Sequence, residues 1–235
     1  MCEALEDLVC VDGDGVMSGV VRVGLVGASA GGGWASIAHV PGLEAASGIE
    51  LAAVCTSRAE SAVAASEAYG VPGYHDVAEL AAQDDIDLVS VVVRVPRHRE
   101  AVMAALDAGK PVFSEWPLGA NLGEATDMAG RAREVDVATA VGLQGRHDPH
   151  LRYLRRLNSD GWLGEIVSVS VTMFASGALD HTSRDAWMGD NANGANFLTI
   201  VLSNHNVNAD PDQGPRILHE MAFGSQYLDL LPTAN

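Results

Sequence analysis

Residues 21–39 constrain the possible fold more than any other part of this chain. Their sequence, VRVGLVGASAGGGWASIAH, is a short apolar run, then a glycine-rich turn, then a stretch with the composition of a helix. In a parallel α/β sheet this order brings backbone N–H groups and the positive end of a helix to the edge where a dinucleotide pyrophosphate binds. A plain strand-to-helix turn is the alternative interpretation, because glycine is common in turns.

Individual positions in this turn predict particular roles at a dinucleotide site. Gly27 ends the apolar run and is expected to make the tight turn, whereas Ser29 stands where the fingerprint has a second glycine. Gly32 is expected to let the following helix pack closely against the strand. Trp34 comes directly after the turn. We therefore assign Gly27, Ser29, Gly32 and Trp34 to the candidate cofactor-binding site.

The end of the second apolar run predicts which cofactor is bound. Residues 50–55, ELAAVC, are typical of a short strand, and Thr56, Ser57 and Arg58 follow it without a carboxylate to accept a hydrogen bond from a free ribose 2′-OH. Hydroxyls beside a guanidinium suit a 2′-phosphate, which arginine binds through a planar fork of donors. This pattern favours NADP(H), with NAD(H) as the alternative. The hydroxyls also suit a cap for a helix over residues 58–69, and the two roles are compatible.

Charge and cysteine content exclude several classes of partner and site. The net charge is −17 at pH 7, whereas nucleic acids and anionic membranes require basic patches on their protein partners. No run approaches the roughly 18 consecutive apolar residues of a membrane-spanning helix, and the acidic N-terminus lacks the order of a secretory signal. Cys2, Cys10 and Cys55 show neither paired nor metal-ligand spacing. We therefore predict a cytoplasmic protein without a metal site and without a direct nucleic-acid or membrane partner.

Alternating strand-like and helix-like stretches over residues 21–141 predict a parallel α/β sheet. Residues 86–93, IDLVSVVV, suit a strand that is buried on both faces. Residues 97–108 suit a helix, and Val112–Glu115 suit a short strand. Residues 121–133 suit a further helix, opened by a capping box.

The pattern changes near Leu143. Asp148 followed by proline is a typical helix start, and residues 165–174 alternate as a half-buried strand does, which predicts a second, antiparallel sheet. We therefore predict an N-terminal extension over residues 1–18, a Rossmann-type dinucleotide-binding domain over residues 19–143, and an incomplete α+β domain over residues 144–235 that is irregular from about residue 201.

Four landmarks follow one another in a specific order. They are the turn at Gly27, the segment VPRH at residues 95–98, the segment AGKPV leading to EWPL within residues 108–118, and QGR at residues 144–146. This ordered set resembles the glucose–fructose oxidoreductase, inositol dehydrogenase and MocA (Gfo/Idh/MocA) family of NAD(P)-dependent enzymes. The resemblance implies an N-terminal dinucleotide-binding domain and a C-terminal α+β domain whose open sheet faces the nicotinamide and often mediates homo-oligomers.

The resemblance adds candidate site residues. It implies cofactor-binding roles for four further positions, namely Pro96, His98, Glu115 and Trp116. Glu115 and Trp116 are expected at the nicotinamide end of the site. Gln144 and Arg146 are expected to bind substrate. No catalytic residue is assigned.

The family's usual lysine has no counterpart in this chain. A Glu-Lys-Pro motif normally occupies the place of Glu115, Trp116 and Pro117, and its lysine lies beside the nicotinamide and the reacting group. Lys110 is the only lysine here, and it matches a turn position of the family pattern. The indole N–H of tryptophan only donates, so it does not exchange a proton near neutral pH. Because general acid–base assistance is worth about 10²–10⁴-fold, we expect the usual chemistry to be severely reduced unless another group supplies it.

Two functions therefore stay open. The Glu-Trp-Pro variant, together with GASAGGGW and LQGR, resembles the branch of the family that contains the fungal galactose-pathway repressor. The leading interpretation is an oxidoreductase that transfers hydride between a nicotinamide cofactor and a small molecule with a sugar- or polyol-like carbonyl–alcohol pair. The alternative is a catalytically silent, NADP-binding regulator that acts through a protein partner.

The end of the chain departs abruptly from the family pattern after Ile200. It resembles translated non-coding sequence or a frameshift, with a divergent natural tail as the alternative. His205 falls near the place of the family's substrate-facing histidine, although a solvent-exposed loop histidine is the simpler interpretation.

Overall fold

Six parallel strands form one sheet in the computed structural model of the protein, which describes residues 19–168, 193–196 and 199–200. The strands are β1 (Val21–Val26), β2 (Ile49–Cys55), β3 (Gly73–Tyr74), β4 (Leu88–Val91), β5 (Val112–Glu115) and β6 (Thr139–Gly142). Their order is β3-β2-β1-β4-β5-β6, and every neighbouring pair is parallel. The order reverses between β1 and β4, as in a Rossmann fold, which confirms the predicted parallel α/β class.

Helices connect the strands. They are α1 (Val40–Ala45), α2 (Ala59–Tyr69), α3 (Val77–Ala81), α4 (His98–Asp107), α5 (Leu122–Val135) and α6 (Pro149–Ser159). A π-helical segment, Ala35–His39, runs directly into α1, and 3₁₀ segments occur at Val95–Arg97 and Gln144–His147. The predicted strands at residues 50–55 and Val112–Glu115 and the predicted helix over residues 97–108 are confirmed within one residue at each end. Boundary differences of this size are usual, because helix ends fray.

The sheet carries a separate apolar cluster on each face. Val26, Val89 and Val91 belong to one cluster, which the helices α3, α4 and α5 cover. Leu25 and Val54 belong to the other, which the π-helical segment and α2 cover. Successive side chains of a strand point to opposite faces, so β1 and β4 are buried on both sides. This double burial explains the near-continuous apolar run of residues 86–93.

One close helix–strand approach depends on a glycine within β1. A Cβ added to Gly24 would lie 2.5 Å from Cδ2 of Leu80, which belongs to α3, and 3.3 Å from Cγ2 of Ile86. The register between β1 and β2 also shifts between Val23 and Gly24. A larger residue would therefore displace the side chains of Leu80 and Ile86 that pack against β1 at this point.

Contacts between Cα atoms divide the chain into two compact units. The first contains the described residues up to Gly119 together with Glu124–Gly142, and it holds the whole sheet. The second contains Ala120–Gly123 and the described residues from Leu143 onward.

The second unit meets the sequence expectations only in part. Helix α6 begins as predicted, because the carboxylate of Asp148 accepts hydrogen bonds from the backbone N–H groups of His150 and Leu151 at 2.9 and 3.1 Å. Residues 165–168 form no strand, and Val167 is 90% exposed, so the predicted strand over residues 165–174 is wrong for that first part. Residues 169–174 lie outside the described residues, as do the N-terminal extension, His205 and the irregular tail. The antiparallel sheet therefore stays a prediction.

Among the described residues, no helix has both the length and the apolar character that crossing a bilayer requires.

Candidate dinucleotide-binding site

The carboxyl ends of the central strands are joined by backbone hydrogen bonds. The N–H of Gly27 donates to the carbonyl of Cys55 at 2.8 Å, which ties the turn after β1 to the end of β2. The N–H of Val92 donates to the carbonyl of Val26, also at 2.8 Å, which ties the end of β4 to β1. The segments that follow β1, β2 and β4 therefore start from one ordered edge at the topological switch point, where ligands of open α/β sheets bind.

Gly27 makes the tight turn that the sequence predicts. Its φ is +100°, in the region that disfavours residues with a Cβ. A Cβ at this position would collide with the carbonyl oxygen of Val92 and lie 2.8 Å from its carbonyl carbon. The turn therefore requires glycine on both conformational and steric grounds.

The loop after Gly27 is ordered by bonds that centre on Ser29. The Ser29 carbonyl accepts from the N–H of Gly32 at 3.3 Å and from the hydroxyl of Tyr69, at the end of α2, at 3.1 Å. The Ser29 hydroxyl accepts from the N–H of Gly31 at 3.3 Å. Gly32 has a φ of +98°, so the loop conformation itself favours glycine there. Trp34 is 51% exposed and lies just before the π-helical segment.

The segment after β2 leaves Ser57 and Arg58 exposed. The Thr56 hydroxyl is turned inward, 2.7 Å from the Ser61 hydroxyl. Helix α2 has Arg58 at its N-cap and receives no side-chain cap bond, so the capping role considered for Thr56 and Ser57 is not observed. The guanidinium of Arg58 forms no ion pair or hydrogen bond with any other residue that the structure describes. A free guanidinium at this strand end is available for an anionic ligand.

A buried hydrogen bond between two side chains lies at the end of β5. Nε2 of His39 is 2.7 Å from Oε1 of Glu115, and the two residues are only 7% and 9% exposed. The His39 ring also meets the ring of Phe113 edge-on, with centroids 5.9 Å apart. The carboxylate of Glu115 is thus held at the carboxyl edge, and Trp116 follows it half-buried.

His98 is buried and joins two loops of this edge. Its Nε2 lies 2.8 Å from the carbonyl of Val93, after β4, and its Nδ1 lies 3.2 Å from the carbonyl of Leu118, after β5. Burial lowers the pKa of His98, and this effect outweighs the bonds to the two carbonyls, which raise it. A neutral ring carries one N–H, so it donates to one of the two carbonyls at a time; the shorter contact favours Nε2 and Val93, with the Leu118 carbonyl packed beside Nδ1. Only 1% of His98 is exposed, so the ring packs between the two loops and presents no edge to solvent.

The remaining candidate positions are distributed over both units. Pro96 is exposed in the 3₁₀ segment that follows β4, in the same unit as the sheet. Gln144 and Arg146 belong to the second unit, in the segment Gln144–His147, and Gln144 is exposed. The predicted cofactor-binding residues thus lie in the unit that holds the sheet. The predicted substrate-binding residues lie in the second unit.

The single lysine of the chain lies at the opposite edge of the sheet. Lys110 precedes β5, and its ammonium donates to the carbonyls of Gln83 at 2.9 Å and Ile86 at 2.8 Å. Glu115 ends the same strand at the carboxyl edge. Lys110 therefore closes the connection before β4, and it cannot replace the lysine that Trp116 displaces.

Replacing Lys110 by methionine should lower the free energy of unfolding by about 2 kcal/mol, since hydrogen bonds to a charged donor are worth roughly 1.5–3 kcal/mol each and water compensates in part. Cofactor affinity should stay unchanged. Urea denaturation and cofactor titration measure the two quantities, and Arg133→Met removes an exposed positive charge as the control. A loss of cofactor affinity without a loss of stability would contradict the structural role of Lys110.

Thiol and metal chemistry find no support among the described residues. Burial raises the pKa of the Cys55 thiol to about 12, so the nucleophilic thiolate is scarce at neutral pH. No group of three or more histidine, cysteine or carboxylate side chains within the described ranges is arranged to hold a metal ion.

The contact between His39 and Glu115 escaped the sequence analysis. Histidine near the start of a helix is common, and the two residues are 76 positions apart. The available signal was indirect: a buried strand that ends in glutamate requires a partner for the carboxylate.

Comparison with known proteins places the fold in a family. The model of the oxidoreductase family with an NAD-binding Rossmann fold, Gfo/Idh/MocA, matches residues 21–143. Dehydrogenase aclE of Aspergillus oryzae is 38% identical over 177 residues, which cover 74% of this chain and 45% of that protein. The galactose/lactose metabolism regulatory protein GAL80 of Saccharomyces cerevisiae is 29% identical over 161 residues, which cover 64% of this chain and 37% of that protein.

A solved structure shows the same relationship. A mutant of KijD10, a 3-ketoreductase from Actinomadura kijaniata in complex with TDP-benzene and NADP, has a TM-score of 0.56 and 29% identity, covering 63% of this chain and 46% of that chain. The chain thus spans less than half the length of these three relatives. The matched residues contain the strand order, the glycine-rich turn and the Glu-Trp-Pro segment described above. The protein belongs to the Gfo/Idh/MocA oxidoreductase family and carries that family's NAD(P)-binding Rossmann fold.

Proposed function

We propose that the chain binds NADP(H) in preference to NAD(H) at the carboxyl edge of the sheet. The observation that carries the preference is the exposed guanidinium of Arg58 beside Ser57, which pairs with none of the residues that the structure describes and lies at the strand end that meets the adenosine ribose in this fold. An arginine binds a 2′-phosphate through two parallel N–H donors. No carboxylate occupies residues 55–58, where a cofactor without the phosphate would require one. The NADP in the KijD10 structure is consistent with this proposal.

The glycine-rich turn suits the pyrophosphate. Gly27 and Gly32 have left-handed backbone conformations and present no Cβ, so phosphate oxygens have access to the loop. Trp34 borders the same loop. We assign Pro96, Glu115 and Trp116 to the nicotinamide end, and His98 to holding the two loops that carry them.

The activity we propose is hydride transfer between the nicotinamide and the carbonyl–alcohol pair of a sugar- or polyol-like small molecule. Bound nicotinamide supplies or accepts the hydride. The similarity to dehydrogenase aclE and to a 3-ketoreductase supports this class of reaction. Gln144 and Arg146 are the proposed substrate-binding residues, and the family match that ends at residue 143 supports a domain boundary near Leu143.

A regulatory function is the second candidate, and Trp116 favours it. Tryptophan occupies the place of the family's lysine, and the single lysine is engaged at the opposite edge of the sheet. A chain of this kind binds the cofactor but has no proton-exchanging group at that position. The similarity to GAL80, a regulatory protein, supports a protein partner for this second candidate.

One experiment separates the two candidates. The protein is titrated calorimetrically with NADPH, NADP, NADH and NAD, and the same preparation is then screened with sugars, polyols and aldehydes for a change in nicotinamide absorbance. Binding with turnover supports the oxidoreductase. Binding without turnover, with activity gained when lysine is restored at position 116, supports the regulator. If the protein bound none of the four cofactors, both candidate functions would be refuted.

Replacing Arg58 by alanine should weaken NADPH binding about 30-fold, because two charge-assisted hydrogen bonds to the 2′-phosphate contribute roughly 2 kcal/mol. Affinity for NADH should stay within about twofold, so the preference between the cofactors should collapse. Arg133→Ala is the matched control, since it removes an exposed arginine near the end of α5. The proposal that Arg58 recognises the 2′-phosphate would be wrong if the parent bound NADPH and NADH equally well and Arg58→Ala changed neither affinity.

A further inference from the structure

The bond between His39 and Glu115 links two distant parts of the proposed cofactor site. His39 ends the π-helical segment that follows the glycine-rich loop, and Glu115 ends β5. Their side chains meet at 2.7 Å across 76 positions of sequence. A carboxylate only accepts hydrogen bonds, so Nε2–H of the ring is the donor. The contact therefore spans from the pyrophosphate side of the site to the nicotinamide side.

The surroundings leave the Glu115 carboxylate little room to move away from His39. Only 9% of the His39 side chain and 12% of the Glu115 side chain are exposed. Phe113 packs edge-on against the imidazole, and an added Cβ at Gly142 would come within 3.3 Å of Oε1 of Glu115 and 2.9 Å of Cζ of Phe113. β6 thus approaches closely only because residue 142 is glycine. Removing one hydrogen-bond donor from a buried carboxylate in such a confined place costs free energy.

His39 lies on the buried side of the π-helical segment. Ala35 and His39 are the buried residues of the segment, whereas Ile37 is 67% exposed. A π-helical turn contains an extra residue and often marks a functional site. Ala35 and His39, four positions apart, lie on the same buried side of the segment, directly after the loop that we propose binds the pyrophosphate.

We infer that His39 is a positioning residue, which holds Glu115 and thereby the adjoining Trp116 in place for the nicotinamide end of the cofactor. This inference rests on the proposed dinucleotide binding. It requires no proton transfer by His39, whose ring is turned toward the carboxylate. Loss of the Nε2–H donor should disturb the nicotinamide end and leave the adenosine end, at Ser57 and Arg58, undisturbed.

The test compares the whole cofactor with its adenosine half. Dissociation constants for NADPH and for 2′,5′-ADP are measured for the parent, for His39→Leu and for His39→Gln. Leucine has no donor, whereas the glutamine amide places an N–H near the position of Nε2. We expect His39→Leu to weaken NADPH binding about tenfold, the usual effect of losing a hydrogen bond to a charged group. Affinity for 2′,5′-ADP should stay within about twofold, and His39→Gln should restore most of the NADPH affinity.

Two further variants keep the test decisive. His39→Phe removes the donor but keeps a ring that can pack against Phe113, and it should cause the same selective loss if His39→Leu proves too unstable to measure. His75→Leu, an exposed histidine on the loop before α3, should change neither affinity. Equal losses for NADPH and 2′,5′-ADP, or no rescue by His39→Gln, would overturn the positioning role while leaving the proposed function standing. Failure of the parent to bind either ligand would overturn the proposed function, and the inference with it.

Discussion

Replacing Trp116 by lysine should raise the rate of nicotinamide turnover by about 10²–10⁴-fold, the usual contribution of general acid–base assistance. The reason is chemical. The indole N–H only donates, whereas a lysine ammonium at this place exchanges a proton with the reacting hydroxyl or carbonyl. Lysine is also smaller than tryptophan, so the half-buried position accommodates it. The change in nicotinamide absorbance with the best substrate from the screen measures the effect.

The control for this prediction separates the effect of proton exchange from the effect of a smaller side chain. Trp116→Met has a side chain of similar length to lysine and carries no exchangeable proton, so its turnover should stay at the level of the parent. Equal gains for methionine and lysine would mean that tryptophan merely blocks substrate. High turnover in the parent, unchanged by lysine, would mean that a group other than residue 116 already moves the proton.

Replacing Gly27 by alanine should lower the free energy of unfolding by about 3 kcal/mol, the sum of left-handed strain and overpacking. The added Cβ would collide with the carbonyl of Val92. That residue cannot easily move away, because its N–H is hydrogen-bonded to the carbonyl of Val26. The turn and the loop after β4 should therefore separate. NADPH binding should be lost together with stability, since both depend on the same edge. Urea denaturation and calorimetric titration measure the two effects.

The matched control is a glycine that the fold does not require. Gly130 lies inside α5, has no atom within 4 Å of an added Cβ, and is not in a left-handed conformation. Gly130→Ala should raise the free energy of unfolding by roughly 0.5–1 kcal/mol, because alanine loses less backbone entropy in a helix. If Gly27→Ala proved as harmless as Gly130→Ala, the turn after β1 would not have the geometry described here.

Much of the sheet was predictable because its signals are local. The apolar run before Gly27 and the run at residues 86–93 predict buried parallel strands, and the glycine after the first of them predicts the tight turn. Asp148 followed by proline predicts the start of α6. Each of these features depends on neighbouring residues, so the tertiary structure had little freedom to alter them.

Contacts between distant residues were not predictable in the same way. The hydroxyl of Thr56 bonds Ser61 instead of capping α2, because Arg58 rather than Thr56 or Ser57 occupies the N-cap position. Residues 165–174 alternate as a half-buried strand does, yet an alternating pattern forms a strand only where another strand pairs with it. Whether such a partner strand is present depends on the tertiary structure, and none pairs with residues 165–168 among the described residues.

By itself, the sequence determined the Rossmann class, the glycine that the first turn requires, the absence of an acidic residue at the end of β2, and the tryptophan in place of the family's lysine. These depend on residue type and local order. Only the tertiary structure decided that Lys110 serves the opposite edge, that Arg58 pairs with none of the described residues, that His98 is buried between two loops, and that His39 reaches Glu115. Hydrogen bonds and ion pairs act over about 3 Å, and residues far apart in the chain come that close only when the sheet and its helices have packed.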